Sequence, residues 1–268
     1  MLVRRILTAA VFAATTLAST CGFAGTIDIT YAGSANFGAG GVGYYSGQVA
    51  PNPGSSTALT TVGLGGDSFT TTNKTYDFSK TGQFNAWCVD ILHWLNQSTS
   101  SSTTYTVYNG STQLAADLDA ITTGLSSHLN TGANSGANRV SALMKLANQF
   151  YKQVDTEVES AAFQLAVWAI TFGSADANGK FSVSTTNTGF KVDATTDSAT
   201  YGVLADQWLA ALGSTPNTGN YVLRYLSVGT NSQDLIVFAE VPEPGSLALM
   251  ALALMAIVYV QRKRAQQV

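Results

Sequence analysis

The chain has 268 residues, of which only 11 % are charged, and a formal net charge of −3. Between Gly25 and Glu240 fifteen carboxylates face eight Lys and Arg, a net charge of −7, which argues against a nucleic-acid partner because phosphate binding needs clustered positive charge. Abundant Ser, Thr, Asn and Gly in this stretch suit an exported β-rich domain with long polar loops better than a cytosolic enzyme.

In chain order, Arg4 and Arg5 precede an apolar run over residues 6–17, and Gly22-Phe23-Ala24 forms a small-x-small cleavage site. Residues 1–24 therefore read as a secretory signal peptide with Gly25 as the mature start. A lipoprotein signal ending at Cys21 is set aside, because Ala18 and Thr20 stand where leucine and a small residue are expected. Residues 26–32 alternate Ile27, Ile29 and Tyr31 with polar neighbours and predict a strand. Residues 33–66 hold ten glycines and Pro51-Asn52-Pro53, which predicts short strands joined by loops. Further strands are expected over 103–108, 221–228 and 234–240.

Helical periodicity governs the middle of the chain, over 112–129, 138–154, 157–172 and 201–212; Val140, Leu143, Met144, Ala147 and Phe150 mark one such face. Residues 174–200 are polar and Thr-rich, as in an exposed loop or hairpin. No repeat recurs at a fixed period. The sum is an α+β fold: one exported domain over 25–240, with a β-rich framework, sandwich or barrel, and a helical insertion at about 112–172.

The chain ends in three blocks: Pro242-Glu243-Pro244, an apolar run from Leu247 to Val260, and the basic triplet Arg262, Lys263 and Arg264. The prolines can neither continue a strand nor enter a helix interior, and the basic residues hold their side of an apolar segment in the cytoplasm. Their order over residues 241–268 resembles the PEP-CTERM sorting signal of Gram-negative bacteria. That resemblance implies an exosortase-type membrane protease as partner and cleavage near Pro242-Glu243-Pro244. It also implies passage through the inner membrane to the cell surface or extracellular matrix. A transmembrane helix is expected over 245–261. Its length is at the low end of the ~17–25 residues that span hydrocarbon, which suits a segment held briefly and removed better than a retained anchor.

Removal of the signal leaves Cys88 as the mature chain's single cysteine. A lone thiol in an oxidising compartment is buried and inert, paired with another chain, or chemically committed. Gln164 is the second anomaly. It lies in Ala161-Ala162-Phe163-Gln164-Leu165-Ala166-Val167-Trp168-Ala169-Ile170-Thr171-Phe172, a helix apolar nearly all round and so expected to be buried. Gln164, Trp168 and Phe172 share one face. A buried amide costs ~1–3 kcal/mol if unsatisfied, so it is partnered or consumed.

Trp87-Cys88-Val89-Asp90 and Gln164-Leu165-Ala166-Val167-Trp168 resemble the paired motifs of the thioester domains of bacterial surface adhesins, with Phe163 where that family carries Thr. The resemblance implies an internal thioester between the Cys88 sulfur and the Gln164 side-chain carbonyl, single-use covalent attachment rather than turnover, and a β-rich body with helices between the two residues. Trp87, Trp168, Phe163 and Ile91 would exclude water, and Asp90 or His93 would serve proton transfer. The targets implied are an exopolysaccharide or a surface protein. Beside this stands an inert core, with Trp87-Cys88-Val89 as a core strand in which Cys88 is a small hydrophobe and Gln164 bonded to a buried carbonyl, in a passive structural matrix protein.

Other chemistries rank lower. A cysteine hydrolase has only His93 and His128 for a base. No metal or cofactor is expected: the histidines lack ligand spacing, and Asp117-Leu118-Asp119 lacks the glycine and distal glutamate of a calcium loop. The glycines between Gly38 and Gly43 lack the lysine of a phosphate cradle. Thr70-Thr71-Thr72, Thr185-Thr186 and Thr195-Thr196 lack the regular spacing an ice-binding surface would demand.

Overall fold

A computed structural model describes residues 25–34, 45–49, 60–90, 93, 95–109, 112–125, 134–183, 190, 198–212, 219–229, 232–241 and 255. The first strand is β1 (Gly25–Ser34). It is followed by β2 (Tyr45–Val49), β3 (Thr60–Leu64), β4 (Asp67–Thr70), β5 (Gln83–Cys88) and β6 (Thr103–Asn109). Helices α1 (Thr112–Leu125), α2 (Gly136–Phe150), α3 (Glu157–Phe172) and α4 (Val203–Ala211) come next, and β7 (Tyr221–Ser227) and β8 (Leu235–Glu240) close the fold.

Six antiparallel strands close into a barrel in the order β1-β4-β5-β8-β7-β6, while β2 and β3 form a separate two-stranded ribbon. Closure is possible because β1 serves two neighbours. Its first half pairs with β6 and its second half with β4, and the register shifts between Tyr31 and Gly33. Gly33 takes φ 119° at that bulge, a conformation that side-chain-bearing residues rarely adopt.

A six-stranded barrel is narrow enough for its own side chains to fill. Cross-strand pairing puts Ile27, Ile29, Phe69, Phe84, Ala86, Val107, Leu226 and Leu235 on the inner face, all buried. Alternation sends Trp87, Ile236, Phe238, Leu223 and Tyr221 to the outer face, where the helical layer covers them. Phe163 of α3 meets Trp87 at 4.6 Å and Phe238 at 5.8 Å between ring centroids, and Tyr151, just after α2, meets Tyr221 at 5.2 Å. Every residue of α3 from Ser160 to Phe172 is buried, as its near-continuous apolar sequence requires.

Both ends of α3 are tied. Thr156 caps the N-terminus in a reciprocal box with Glu159. At the other end the buried Arg139 of α2 donates to the carbonyls of Ile170 and Gly173 and lies over the Phe181 ring, satisfying orphan carbonyls of the helix terminus. Burial lowers the Arg139 pKa to about 10, and the group stays charged at neutral pH.

The expected α+β fold is present, with a barrel in place of the open choice between sandwich and barrel. The helical insertion extends past residue 172, because α4 also lies between β6 and β7. Helix α2 starts at Gly136 and gives way to a 3-10 turn, Tyr151–Gln153. Strands β4 and β5 have no counterpart in the alternation pattern. The expected signal peptide, the helix over 245–261 and the blocks from Pro242 to Arg264 lie outside the described residues, Met255 excepted. Among the described residues no helix is long and apolar enough to cross a membrane.

Strand register also orients the barrel. Gly25 pairs with Val107 and Glu240 with Tyr221 at one end; Ser34 pairs with Asp67 and Cys88 with Leu235 at the other.

Candidate functional site

Cys88 is the last residue of β5, where the sheet loses a neighbour. Strand β4 starts at Asp67 opposite Ala86, and the chain before it turns away through Gly65 and Gly66. In an extended strand alternate residues direct both backbone groups to the same side. The Val89 N–H donates to Asp234 O on the β8 side, so the N–H and C=O of Cys88 face the side that β4 has vacated.

Helix α3 fills that vacancy. The Cys88 N–H donates to Gln164 Oε1 at 3.0 Å, and Gln164 Nε2 donates to Cys88 O at 2.8 Å. The side-chain amide takes the part of the missing strand residue. One turn earlier on α3, Ser160 Oγ accepts from Gly66 N–H at 3.0 Å, so residues four apart fasten the helix to both sides of the gap. Gln164 and Ser160 are fully buried. Chemically the clamp does two things: it places the amide beside the only cysteine among the described residues, and it sets an N–H on the carbonyl oxygen that would gather negative charge under nucleophilic attack.

The thiol turns elsewhere, donating to Asp67 Oδ2 at 3.8 Å. Asp67 lies on the inner face of β4, in phase with Phe69, and is 5 % exposed. Desolvation raises its pKa to about 7, against a smaller lowering by the Cys88 thiol. Burial pushes the Cys88 thiol well above its ordinary value, and the carboxylates of Asp67 and Asp90 add to that rise. The sulfur is therefore a protonated thiol at neutral pH.

Around this centre, Trp87 is buried on the outer face of β5 against Phe163 and Tyr151. Trp168 is 2 % exposed and meets Phe190 at 6.2 Å between ring centroids, and its indole N–H finds no hydrogen-bond partner among the described residues. Asp90 is buried and engages the half-exposed His93 Nδ1, and Asp90 O accepts from Gln233 Nε2. Tyr105 donates to Gln233 O at 3.1 Å. Asp234 accepts from Tyr225 at 2.6 Å and from Val228 N–H at 2.8 Å.

Cys88, Gln164, Asp90, His93 and Trp87 thus belong to one region of the fold, at the barrel end remote from Glu240, while Trp168 lies one turn beyond Gln164 on α3 and packs on Phe190. Within it, Asp90 and His93 hold each other, while the thiol's hydrogen bond goes to Asp67, which the sequence motifs do not single out. A signal existed: Asp67 and Phe69 stand two apart, which places a carboxylate on the core face of any strand there. Ile91, His128, Thr185, Thr186, Thr195 and Thr196 lie outside the described residues. No group of three or more His, Cys, Asp or Glu among the described residues is arranged to hold a metal ion.

Residues 240–264 match the PEP-CTERM protein-sorting motif. No curated protein and no solved structure matches the chain. The motif marks the chain for export through a membrane-anchored transit step and for sorting by an exosortase-type system, and it covers none of the barrel before Glu240.

Proposed function

We propose that the exported barrel is a cell-surface or extracellular-matrix protein that attaches covalently to a partner through an internal thioester between Cys88 and Gln164. The observation that carries this is the two-point clamp of the Gln164 amide on the backbone of Cys88, in a buried region where Phe163 packs on Trp87. Attack of Sγ on the amide carbon forms the S–C bond, breaks the C–N bond and releases ammonia. The acyl group is then open to an amine or hydroxyl of an exopolysaccharide or surface protein, which takes the carbonyl and returns Cys88 as a thiol. Such a protein acts once and is not an enzyme.

A second reading has its own observation. Both polar atoms of Gln164 are already satisfied, as they would be in a structural clamp closing a short strand of a passive matrix protein. Intact mass of the signal-processed chain separates the two. The thioester predicts a mass one ammonia below that of the sequence, loss of the deficit in Cys88→Ala, and a methylamine adduct on Gln164. A full mass together with an alkylatable Cys88 would leave the structural clamp.

A further inference from the structure

We propose that Asp67 is the proton carrier of thioester formation, accepting the Cys88 thiol proton as Sγ attacks and delivering it to Nε2 of Gln164 as ammonia departs. This rests on the reading of Cys88 and Gln164 as thioester partners. Three observations support it. The carboxylate meets the reacting sulfur directly, at 3.8 Å. Both groups are on the inner face at the same end of the barrel, excluded from water. Finally, the sulfur needs help: burial and neighbouring carboxylates keep it protonated, so free thiolate is too scarce to attack an amide.

The proton balance closes without an outside reagent. One proton leaves Sγ for Oδ2 while the S–C bond forms, and the same proton leaves Oδ2 for the departing NH2 group, yielding NH3 and restoring the carboxylate. In capture the roles reverse: the carboxylate accepts the proton of an incoming amine or hydroxyl and passes it to the released sulfur. His93, held by Asp90, is not required in either direction.

Asp67 is poised to titrate in the neutral range, with a pKa of about 7. The ionisable groups that act with it are Cys88 from β5 and Tyr105 from β6, which burial holds neutral with a pKa of about 12; Asp90, just beyond β5, acts on the Cys88 thiol. Formation should therefore speed up as pH rises through about 7 and level off above it.

The test follows the intact mass of newly translated full-length chain over time, from about pH 5 to about pH 9. Expected are wild-type formation with an inflection near neutrality, Asp67→Asn slower by roughly 100-fold or more, and partial recovery in Asp67→Glu. Equal rates in wild type and a folded Asp67→Asn would overturn the role of Asp67 while leaving the thioester intact. A wild-type mass that never falls would overturn both. Should Asp67→Asn fail to fold, the wild-type profile decides: a flat rate, or one climbing without a plateau towards thiol ionisation, overturns the proposal. Loss of the inflection in His93→Gln would likewise overturn it, by moving the role to His93.

Discussion

At the residue scale, Gln164 and Asp67 meet their surroundings in opposite ways. Both polar atoms of the Gln164 amide are used, so Gln164→Ala strands the N–H and C=O of Cys88 inside the protein. A cost of about 2–4 kcal/mol is expected, measurable by denaturant unfolding in the Cys88→Ala background, where no acyl chemistry intervenes. Asp67 instead pits desolvation against its charged form. Its folded pKa of about 7 lies above the ordinary aspartate value of 3.8, so between these values the folded chain holds a proton that the unfolded chain has released. Stability falls as pH rises from about 4 to about 7 and then levels. Asp67→Asn removes this dependence. In the same background it should exceed the parent by roughly 2–4 kcal/mol at about pH 8 and lose that advantage near pH 4. Parallel pH–stability curves for the two proteins would show that Asp67 is not desolvated.

At the element scale, the helices were legible because their apolar residues recur at a period no strand can use, and α3 was legible even in its burial. Of the strands beside the site, only the Trp87-Cys88 end of β5 was legible, as a core strand. Strand β4 has four residues, too few for alternation to register, and β5 is buried on both faces at its end, where Ala86, Trp87 and Cys88 present no polar alternate. The motif around Cys88 pointed to the sulfur and to Gln164, yet Asp67 reaches the thiol only through pairing of β4 with β5, which no local pattern encodes. The ends of α3 carry a prediction of their own. Arg139→Met keeps much of the side-chain volume but leaves the carbonyls of Ile170 and Gly173 bare, and thermal unfolding should show a loss of about 3 kcal/mol. Thr156→Ala at the opposite cap should cost about 1 kcal/mol. Equal effects at the two ends would mean that solvent reaches the Arg139 site.

At the scale of the whole molecule, the body and the sorting motif meet abruptly. Strand β8 ends at Glu240, and the Val241 N–H still donates to Asn220 O, while the motif begins at residue 240. Cleavage beyond Val241 removes none of the described barrel pairing. A chain ending there should melt within a few degrees of the full chain, since changes below ~1 kcal/mol move a domain of this size by only ~2–4 °C; a larger drop would mean that the tail packs on the body.

The opposed placement of Gln164, which sits at the Cys88 end, and Glu240 has a mechanical consequence. Strand β8 runs from the Cys88 end to the tail end, a length of about 17 Å at the usual rise per residue. A molecule bonded through its acyl group and held by its C-terminus would be pulled along that strand. The bonds joining β8 to β5 and β7 lie across the line of pull, so they are loaded in shear and share the force instead of parting one by one.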